Sequence, residues 1–254
     1  TIIAKGGKGE LIINTGTGDD LITLLDNLPS LSTGEGTDTL RAGFERIEMV
    51  RYFGLENLVF TGGSAASIDG NLFDNQITGG NRSDTISGAE GNDTLNAVFK
   101  SDVIIEEADE GIDTVVARVS YTLTDNVENL KLVTGFDLKG TGNALDNKIE
   151  GNDGKNLLRG LGGDDTLKGG AGKDTLDGGA GNDLYVLKED KDAITDASGI
   201  DTVRSFFNYT LGAGLENLIL DDESDAVKAA GNASDNELTG NGADNLLDGD
   251  EGED

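Results

Sequence analysis

The stretch that decides the fold reads GLGGDDTLK, GGAGKDTLD and GGAGNDLYV over residues 160–186. These three nine-residue units follow one another without a gap, each with glycine in the first and fourth places and aspartate in the sixth. The eighth place holds Leu167, Leu176 and Tyr185. A short fixed period is typical of solenoids, in which each unit buries its apolar side chain against its neighbours.

The same nine-residue frame continues outside this stretch and defines four arrays. Residues 151–159 and 142–150 extend it backwards, with Asn156 and Asn147 in the sixth place. The final unit stops after its sixth residue, which predicts that the chain is part of a longer polypeptide. The four arrays occupy residues 6–23, 70–96, 142–186 and 231–254.

Three connectors of about 45 residues separate the arrays and are related to one another. The second contains GIDTVVARVSYTL and ENLKL, and the third contains GIDTVRSFFNYTL and ENLIL. The first keeps GTDTL and ENLVF but lacks the YTL element. Apolar residues alternate with polar ones between positions 203 and 211, which indicates a strand with one buried face. We therefore expect one continuous all-β solenoid over residues 1–254, with broader β-coils in the connectors 24–69, 97–141 and 187–230.

The composition excludes several classes of function. The chain has 19 Lys plus Arg against 49 Asp plus Glu, a net charge of −30, and this charge repels nucleic acid. Direct membrane insertion is not expected, because no apolar run approaches the roughly 18 residues that cross a bilayer. Cysteine and histidine are absent, which excludes disulfides and the usual zinc sites. No P-loop, dinucleotide or nucleophile motif is present, so we expect no enzymatic activity in these residues.

The regular spacing of the sixth-position carboxylates indicates metal ligands rather than a catalytic pair of acids. Stacked units bring these carboxylates into line along one edge, where they repel one another unless a cation lies between them. Side-chain and backbone oxygens in a flexible arrangement favour Ca²⁺ over Mg²⁺. The sequence therefore predicts calcium as the cofactor, with several ions in each chain.

Two further acidic positions recur in the connectors. The glutamate of the ENL motif is expected to be an acid at the end of a strand that pairs or caps, and it occurs as Glu56, Glu128 and Glu216. The aspartate of the GxDT motif leaves two alternatives open, a metal ligand or a hydrogen-bonded strand start, and it occurs as Asp38, Asp113 and Asp201.

The arrays resemble the RTX family, the nonapeptide calcium-binding repeats of bacterial proteins exported by type I secretion. The resemblance implies a right-handed parallel β-roll in which two nonapeptides form one turn and each calcium lies between units two apart. Glycine carbonyls are expected to complete the coordination shell. The implied pairs of sixth residues that share an ion are Asp165 with Asp183, Asn147 with Asp165, Asn156 with Asp174, and Asn75 with Asp93.

The resemblance also implies a full set of metal-binding residues. Where asparagine replaces aspartate in the sixth place, one negative charge is lost, which predicts a weaker site or a structural position without metal. The aspartates are Asp20, Asp84, Asp93, Asp165, Asp174, Asp183 and Asp254, and the asparagines are Asn75, Asn147, Asn156, Asn236 and Asn245. The glycines are Gly160, Gly169, Gly172, Gly178 and Gly181.

Charge and resemblance together favour a calcium-binding structural segment of a large secreted surface protein, such as an adhesin, a surface-layer protein or an extracellular filament. Low cytosolic calcium leaves the carboxylates repelling one another and the chain extended, whereas extracellular calcium neutralises them and the solenoid folds. The alternative is a carboxyl-terminal calcium module of an exported protease, lipase or polysaccharide epimerase. Three arrays with matched connectors favour the structural segment. The expected partners are calcium and copies of the chain itself or other cell-surface components.

Overall fold

The described residues form short β-strands joined by turns and bends. The computed structural model describes residues 2–4, 17–24, 31–32, 35–43, 46–49, 52–188, 192–196 and 198–252. The strands are short and parallel, and the described residues contain no helix that could span a membrane. Contacts divide the chain into two compact units, Thr1–Val119 with Leu123–Val127, and Ser120–Thr122 with Glu128–Asp254. The prediction of an all-β solenoid of stacked parallel strands is confirmed.

The first unit contains thirteen described strands in three parallel sheets. They are β1 (Ile2–Ala4), β2 (Leu21–Leu24), β3 (Leu31–Ser32), β4 (Thr39–Ala42), β5 (Arg46–Glu48), β6 (Tyr52–Phe53), β7 (Asn57–Phe60), β8 (Ser67–Asp69), β9 (Gln76–Thr78), β10 (Thr85–Ser87), β11 (Thr94–Ala97), β12 (Val103–Ile105) and β13 (Thr114–Ala117). The sheet orders are β1-β2-β4-β7-β9-β11-β13, β12-β10-β8-β5 and β3-β6.

The second unit contains fifteen described strands in three parallel sheets. They are β14 (Tyr121–Thr122), β15 (Asn129–Leu132), β16 (Lys139–Thr141), β17 (Lys148–Glu150), β18 (Leu157–Gly162), β19 (Thr166–Lys168), β20 (Thr175–Ala180), β21 (Leu184–Leu187), β22 (Ala193–Thr195), β23 (Thr202–Ser205), β24 (Tyr209–Thr210), β25 (Asn217–Leu220), β26 (Lys228–Ala230), β27 (Glu237–Thr239) and β28 (Leu246–Asp248). The sheet orders are β15-β17-β19-β21-β23-β25-β27, β14-β16-β18-β20-β22 and β24-β26-β28.

Each coil of the solenoid takes two nonapeptides, because a strand pairs with the strand two units later. Ile149 of β17 lies opposite Leu167 of β19, and Leu158 of β18 lies opposite Leu176 of β20. Successive units therefore alternate between two sheets, and residues at equal positions stack in register. This register explains why one apolar residue in each unit can build a continuous core.

Within the arrays the core consists of the eighth-position side chains. A three-residue strand exposes its first and third residues in part and buries its second, so the period of nine places one apolar side chain inside each coil. Leu247 of the last strand is 45% exposed, because no later described strand covers it. The fully buried eighth-position residues are Ile22, Ile77, Ile86, Leu95, Ile149, Leu158, Leu167, Leu176 and Tyr185.

The alternating segment of the third connector forms two short strands, so the prediction of a single strand is wrong in this respect. β23 ends at Ser205, and β24 begins at Tyr209. The Ser205 hydroxyl donates to the Phe207 carbonyl at 2.8 Å, and this local hydrogen bond closes a bend between the strands. Val203 and Leu211 are still buried on either side of the bend, so the alternation predicted burial correctly at these two positions.

Truncation of the core at Leu167 is expected to destabilise the folded, calcium-loaded chain by about 3 kcal/mol, because Leu167→Ala leaves a cavity between stacked coils. Leu246→Ala serves as the control, since Leu246 is 56% exposed. Urea denaturation in excess calcium measures both changes. Equal midpoints for the two variants would contradict the proposed core.

Candidate metal sites

The sixth residues of successive coils are joined by hydrogen bonds into what we term the sixth-position ladder. The backbone N–H of Asn147 donates to Oδ1 of Asp165 at 2.7 Å, and that of Asp165 donates to Oδ1 of Asp183 at 2.8 Å. The same contact joins Asn156 to Asp174 at 2.7 Å and Asn75 to Asp93 at 2.6 Å, the partner following 18 residues later in each case. The four pairs implied by the resemblance are thus adjacent in space.

The ladder continues into the connectors through the GxDT and ENL motifs. Asp183 donates its backbone N–H to Oδ1 of Asp201 at 2.7 Å, and Asp201 donates its own to Oε2 of Glu216 at 2.9 Å. Asp38 makes the same contact with Glu56 at 2.9 Å. The prediction that ENL glutamates cap backbone groups is confirmed for Glu56 and Glu216. The GxDT aspartates Asp38 and Asp201 are hydrogen-bonded at strand starts.

The units with asparagine in the sixth place share a loop that we term closed. In such a loop the backbone N–H of the second residue donates to the sixth side chain, as from Asn143 to Oδ1 of Asn147 at 2.7 Å. The second residue is itself asparagine, and its side-chain oxygen accepts the backbone N–H of the fourth residue, as from Leu145 to Asn143 at 2.9 Å. The equivalent contacts of second to sixth residue occur in Asn71–Asn75, Asn152–Asn156 and Asn232–Asn236.

The amide groups of these sixth-position asparagines are satisfied by the protein. Asn147 Nδ2 donates to the side chain of Asn143 and to the backbone carbonyl of Glu128. Asn245 Nδ2 donates to Asn241 Oδ1 at 2.9 Å in the same way. A closed loop thus satisfies the amide of its sixth-position asparagine with internal hydrogen bonds. Asp84 also lies in a closed loop, where its Oδ2 accepts the backbone N–H of Gly80 at 2.7 Å.

The remaining units have a different loop, which we term open. Its second and fourth residues both adopt positive φ, a conformation that suits glycine and strains other residues. Leu161 takes it at φ 89° although its side chain is large. A non-glycine residue keeps this strained conformation only where the surrounding structure imposes it, and such residues are concentrated at functional sites. The open pairs are Ala89 with Gly91, Leu161 with Gly163, Gly170 with Gly172, Gly179 with Gly181, and Asp250 with Gly252.

Open loops leave carboxylate oxygens buried without a donor. Oδ2 of Asp93, of Asp165 and of Asp183 has no hydrogen-bond partner, although each residue is at most 1% exposed. A buried carboxylate oxygen without a donor costs free energy, and the cost is relieved by a cation or a proton. The same unsatisfied state occurs at Oδ2 of Asp38 and of Asp201 in the GxDT motifs.

Backbone carbonyl oxygens converge on the same places. A Cβ atom at Gly160 would overlap Oδ2 of Asp165 and would lie 2.6 Å from the carbonyl oxygen of Gly178. Cβ atoms at Gly169 and Gly178 would likewise overlap the sixth-position carboxylate of their own unit. The first-place glycines therefore leave room for the carboxylate of their own unit, and at Gly160 also for a backbone carbonyl oxygen of the next coil. Oxygen ligands from carboxylates and carbonyls are those that Ca²⁺ prefers, so the residues of the open loops fit this ion.

The raised pKa values of the open-loop aspartates indicate that a positive charge would stabilise their ionised form. Burial raises the pKa of Asp165 to about 7; the charge of Asp183 adds to this increase, whereas the backbone hydrogen bond from Asn147 opposes it. Burial likewise raises the pKa of Asp93 to about 7, with Asp113 as a further cause. Ionised carboxylates at these positions therefore oppose folding unless a cation compensates for lost hydration.

The other predicted site residues occupy three kinds of place. Gly172 and Gly181 are fourth-place glycines that pass close to backbone carbonyls of the preceding coil. The absence of a side chain at these two positions therefore allows the coils to stack. Asp20 is half-buried and donates its backbone N–H to Oδ1 of Asp38 at 2.9 Å. Asp254 and residues 6–16 of the first array lie outside the described residues.

Two acidic residues that follow the ends of arrays, Asp196 and Glu106, were not predicted as site residues from the sequence. Carboxylate oxygens of Asp183, Asp196 and Asp201 lie within 4.8 Å of one another. Glu106 occupies the corresponding place after the second array, where its Oε1 accepts the backbone N–H of Gly88 at 2.7 Å. Each is the thirteenth residue after the last sixth-position aspartate of its array, a spacing visible in the sequence.

The repeats match a known family of calcium-binding sequences. Residues 69–98, 142–185 and 229–254 match the family model of the RTX calcium-binding nonapeptide repeat (4 copies). No curated protein matches the chain. The chain therefore contains RTX calcium-binding repeats folded as a β-solenoid, and these repeats imply that it binds Ca²⁺. Asp196 and Asp201 lie outside the matched segments.

Proposed function

We propose that this chain is a calcium-dependent structural segment of a large secreted surface protein, and that it folds when it meets extracellular calcium. The observation that carries the proposal is the set of open loops, whose buried carboxylate oxygens have no hydrogen-bond donor. Without a cation, burial of these carboxylates opposes folding of the loop; with a bound cation, their charge is neutralised and the folded loop is stabilised. The solenoid is therefore coupled to the calcium concentration of its surroundings.

The organisation of the chain supports a structural role over an accessory module of an enzyme. Arrays alternate with connectors of equal design, and the connectors continue the sixth-position ladder through Asp201 and Glu216 instead of interrupting it. Such repetition adds stacked coils and provides no catalytic group. Export in an unfolded state followed by folding outside the cell agrees with the net charge of −30.

Within this function we assign calcium to the open loops and not to the closed ones. Loops of residues 160–165 and 178–183 are both open and stack on each other, so Asp165, Asp183 and the carbonyl of Gly178 would hold an ion. The closed loops at Asn75, Asn147, Asn156, Asn236 and Asn245 replace the ion with asparagine hydrogen bonds and serve as metal-free parts of the scaffold.

Asp165→Asn is expected to remove one calcium ion from each chain, because it deletes the charge at an open loop whose second residue donates no bond to replace it. Asn156→Ala is the matched comparison from a closed loop and is expected to keep the full number of ions while lowering stability by about 1 kcal/mol through lost hydrogen bonds. Isothermal titration calorimetry with calcium measures the ion number for both.

Loss of an ion in Asn156→Ala, or no loss in Asp165→Asn, would contradict this assignment. The surface location has its own test, in which antibodies against this segment label intact cells of the source organism. Labelling that appears only after lysis would overturn the secreted, surface-exposed role.

A further inference from the structure

We propose that each described junction between an array and its following connector forms a further cation site, in which a side-chain carboxylate takes the place of a glycine carbonyl. The residues are Asp183, Asp196 and Asp201 in the second unit. Inside the array, the residue 18 positions after Gly160 is Gly178, which presents its backbone carbonyl. The residue 18 positions after Gly178 is Asp196, which presents a carboxylate instead.

The three carboxylates converge without any cationic side chain among them. Their nearest oxygens lie within 4.8 Å of one another. Oδ1 of Asp183 and of Asp201 each accept a backbone N–H of the ladder. The other oxygen of each is buried and has no hydrogen-bond partner. Three carboxylates this close repel strongly in a buried setting, so a divalent or trivalent cation with oxygen preference is the ligand that this geometry selects.

Asp196 is held in place by two contacts that leave lone pairs on its oxygens. Its Oδ2 accepts the hydroxyl of Tyr185, and its Oδ1 accepts the backbone N–H of Ser198 at 3.1 Å. The Tyr185 hydroxyl in turn accepts the backbone N–H of Gly178 at 2.8 Å. Each carboxylate oxygen has two lone pairs, so both contacts persist when a cation binds. The buried tyrosine therefore positions the acid that completes the site.

The junction after the second array places an acid at the equivalent point of the coil, which is an independent observation. Glu106 is the residue 18 positions after Gly88, and a Cβ atom at Gly88 would lie 2.8 Å from Glu106 Oε1 and overlap Asp93 Oδ2. Glu106 Oε2 and Asp93 Oδ2 are both buried without a hydrogen-bond partner. Two junctions with different local sequences thus place an acid at the same point of the coil.

A third carboxylate changes what the site can do. It carries more negative charge than a site inside the array, so it is expected to bind its cation more tightly, because charge count tunes the affinity of oxygen sites. This inference rests on the proposed calcium-dependent folding. The ion at the junction is expected to bind before the ions inside the array and to link the connector to the array.

The test uses Tb³⁺ as a probe, since the chain has no tryptophan and Tyr185 lies beside the site. Excitation of tyrosine is expected to give strong terbium emission at the first equivalent. Asp196→Asn is expected to weaken that first binding step about tenfold or more and to remove one calcium ion from the calorimetric count. Asp222→Asn, which removes one exposed charge of the same unit, is expected to leave both unchanged.

Tyr185→Phe removes the sensitiser together with the hydroxyl that positions Asp196. It is expected to abolish most of the sensitised emission and to weaken the first binding step by less than Asp196→Asn does, because all three carboxylates remain. Glu106→Gln, in the first unit, is expected to lower the calorimetric number of bound calcium ions by one. If Asp196→Asn keeps the wild-type ion number and emission, the junction site is overturned and calcium binding by the open loops stands. If the wild-type chain binds no calcium, both proposals fail.

Discussion

Addition of calcium to the metal-free chain is expected to change its far-ultraviolet circular dichroism from the spectrum of a disordered chain to that of β-structure. The chain carries a net charge of −30 and its ladder carboxylates are buried, so the folded state without metal is electrostatically costly. Each site filled at 100 times its Kd adds about 2.7 kcal/mol, and three add roughly 8 kcal/mol, comparable to the whole stability of an ordinary domain.

The matched measurements are a magnesium titration and a calcium titration of a chain with Asp165, Asp174 and Asp183 all changed to alanine. Magnesium is expected to have little effect, because it requires near-ideal octahedral geometry and gives up water reluctantly. The triple variant is expected to require much more calcium for the same change. A β spectrum that is already complete in a chelator would rule out the folding switch and leave a scaffold that needs no metal.

The coil and its core could be predicted from the sequence because both follow from a period of nine. One apolar residue in the eighth place of each unit predicted the buried stack of Leu158, Leu176 and their equivalents, and the stack has that register. The alignment of sixth residues followed from the same period. Binding of calcium followed from their oxygen chemistry and from the resemblance to RTX repeats, which the family match supports.

The two loop types could not be derived from the period, because they depend on the backbone of the second and fourth residues. The sequence nevertheless contains the signal. Each described unit with asparagine in the sixth place also has asparagine in the second, as in Asn143 with Asn147, whereas open units have Ala, Leu, Gly or Asp there. The closed unit of Asp84 has Gly80 in the second place and is an exception. The side chain of the second asparagine must reach the fourth N–H, and that contact is visible only in three dimensions.

Asp196 and Glu106 were missed for a different reason. Each looks like an ordinary surface acid of a connector, and only the spacing of coils places it above the first glycine of the last array unit. Both acids follow the first glycine of the last array unit by 18 residues, but they lie beyond the nonapeptide frame, where no repeated motif marks the position. The connection became clear from the geometry around Gly88 and Gly178.

The fourth-place glycines lead to the second large effect, which is expected for Gly181→Ala. Gly181 has φ 131°, and a Cβ atom there would overlap the carbonyl oxygen of Gly163 in the preceding coil. Alanine must therefore adopt a strained backbone and also separate two stacked coils. Together these costs are expected to lower the stability of the calcium-bound chain by roughly 3 to 5 kcal/mol. Urea denaturation in excess calcium measures the loss.

Gly242→Ala is the matched control, because Gly242 also lies in a nonapeptide loop but has open space where its Cβ would be. It is expected to change stability by less than about 0.5 kcal/mol. The calorimetric calcium count adds a second criterion, since separation of the loops at Gly163 and Gly181 also displaces Asp183, and at least one ion is expected to be lost. A Gly181→Ala chain with wild-type stability and ion number would show that the close stacking of open loops is dispensable for holding calcium.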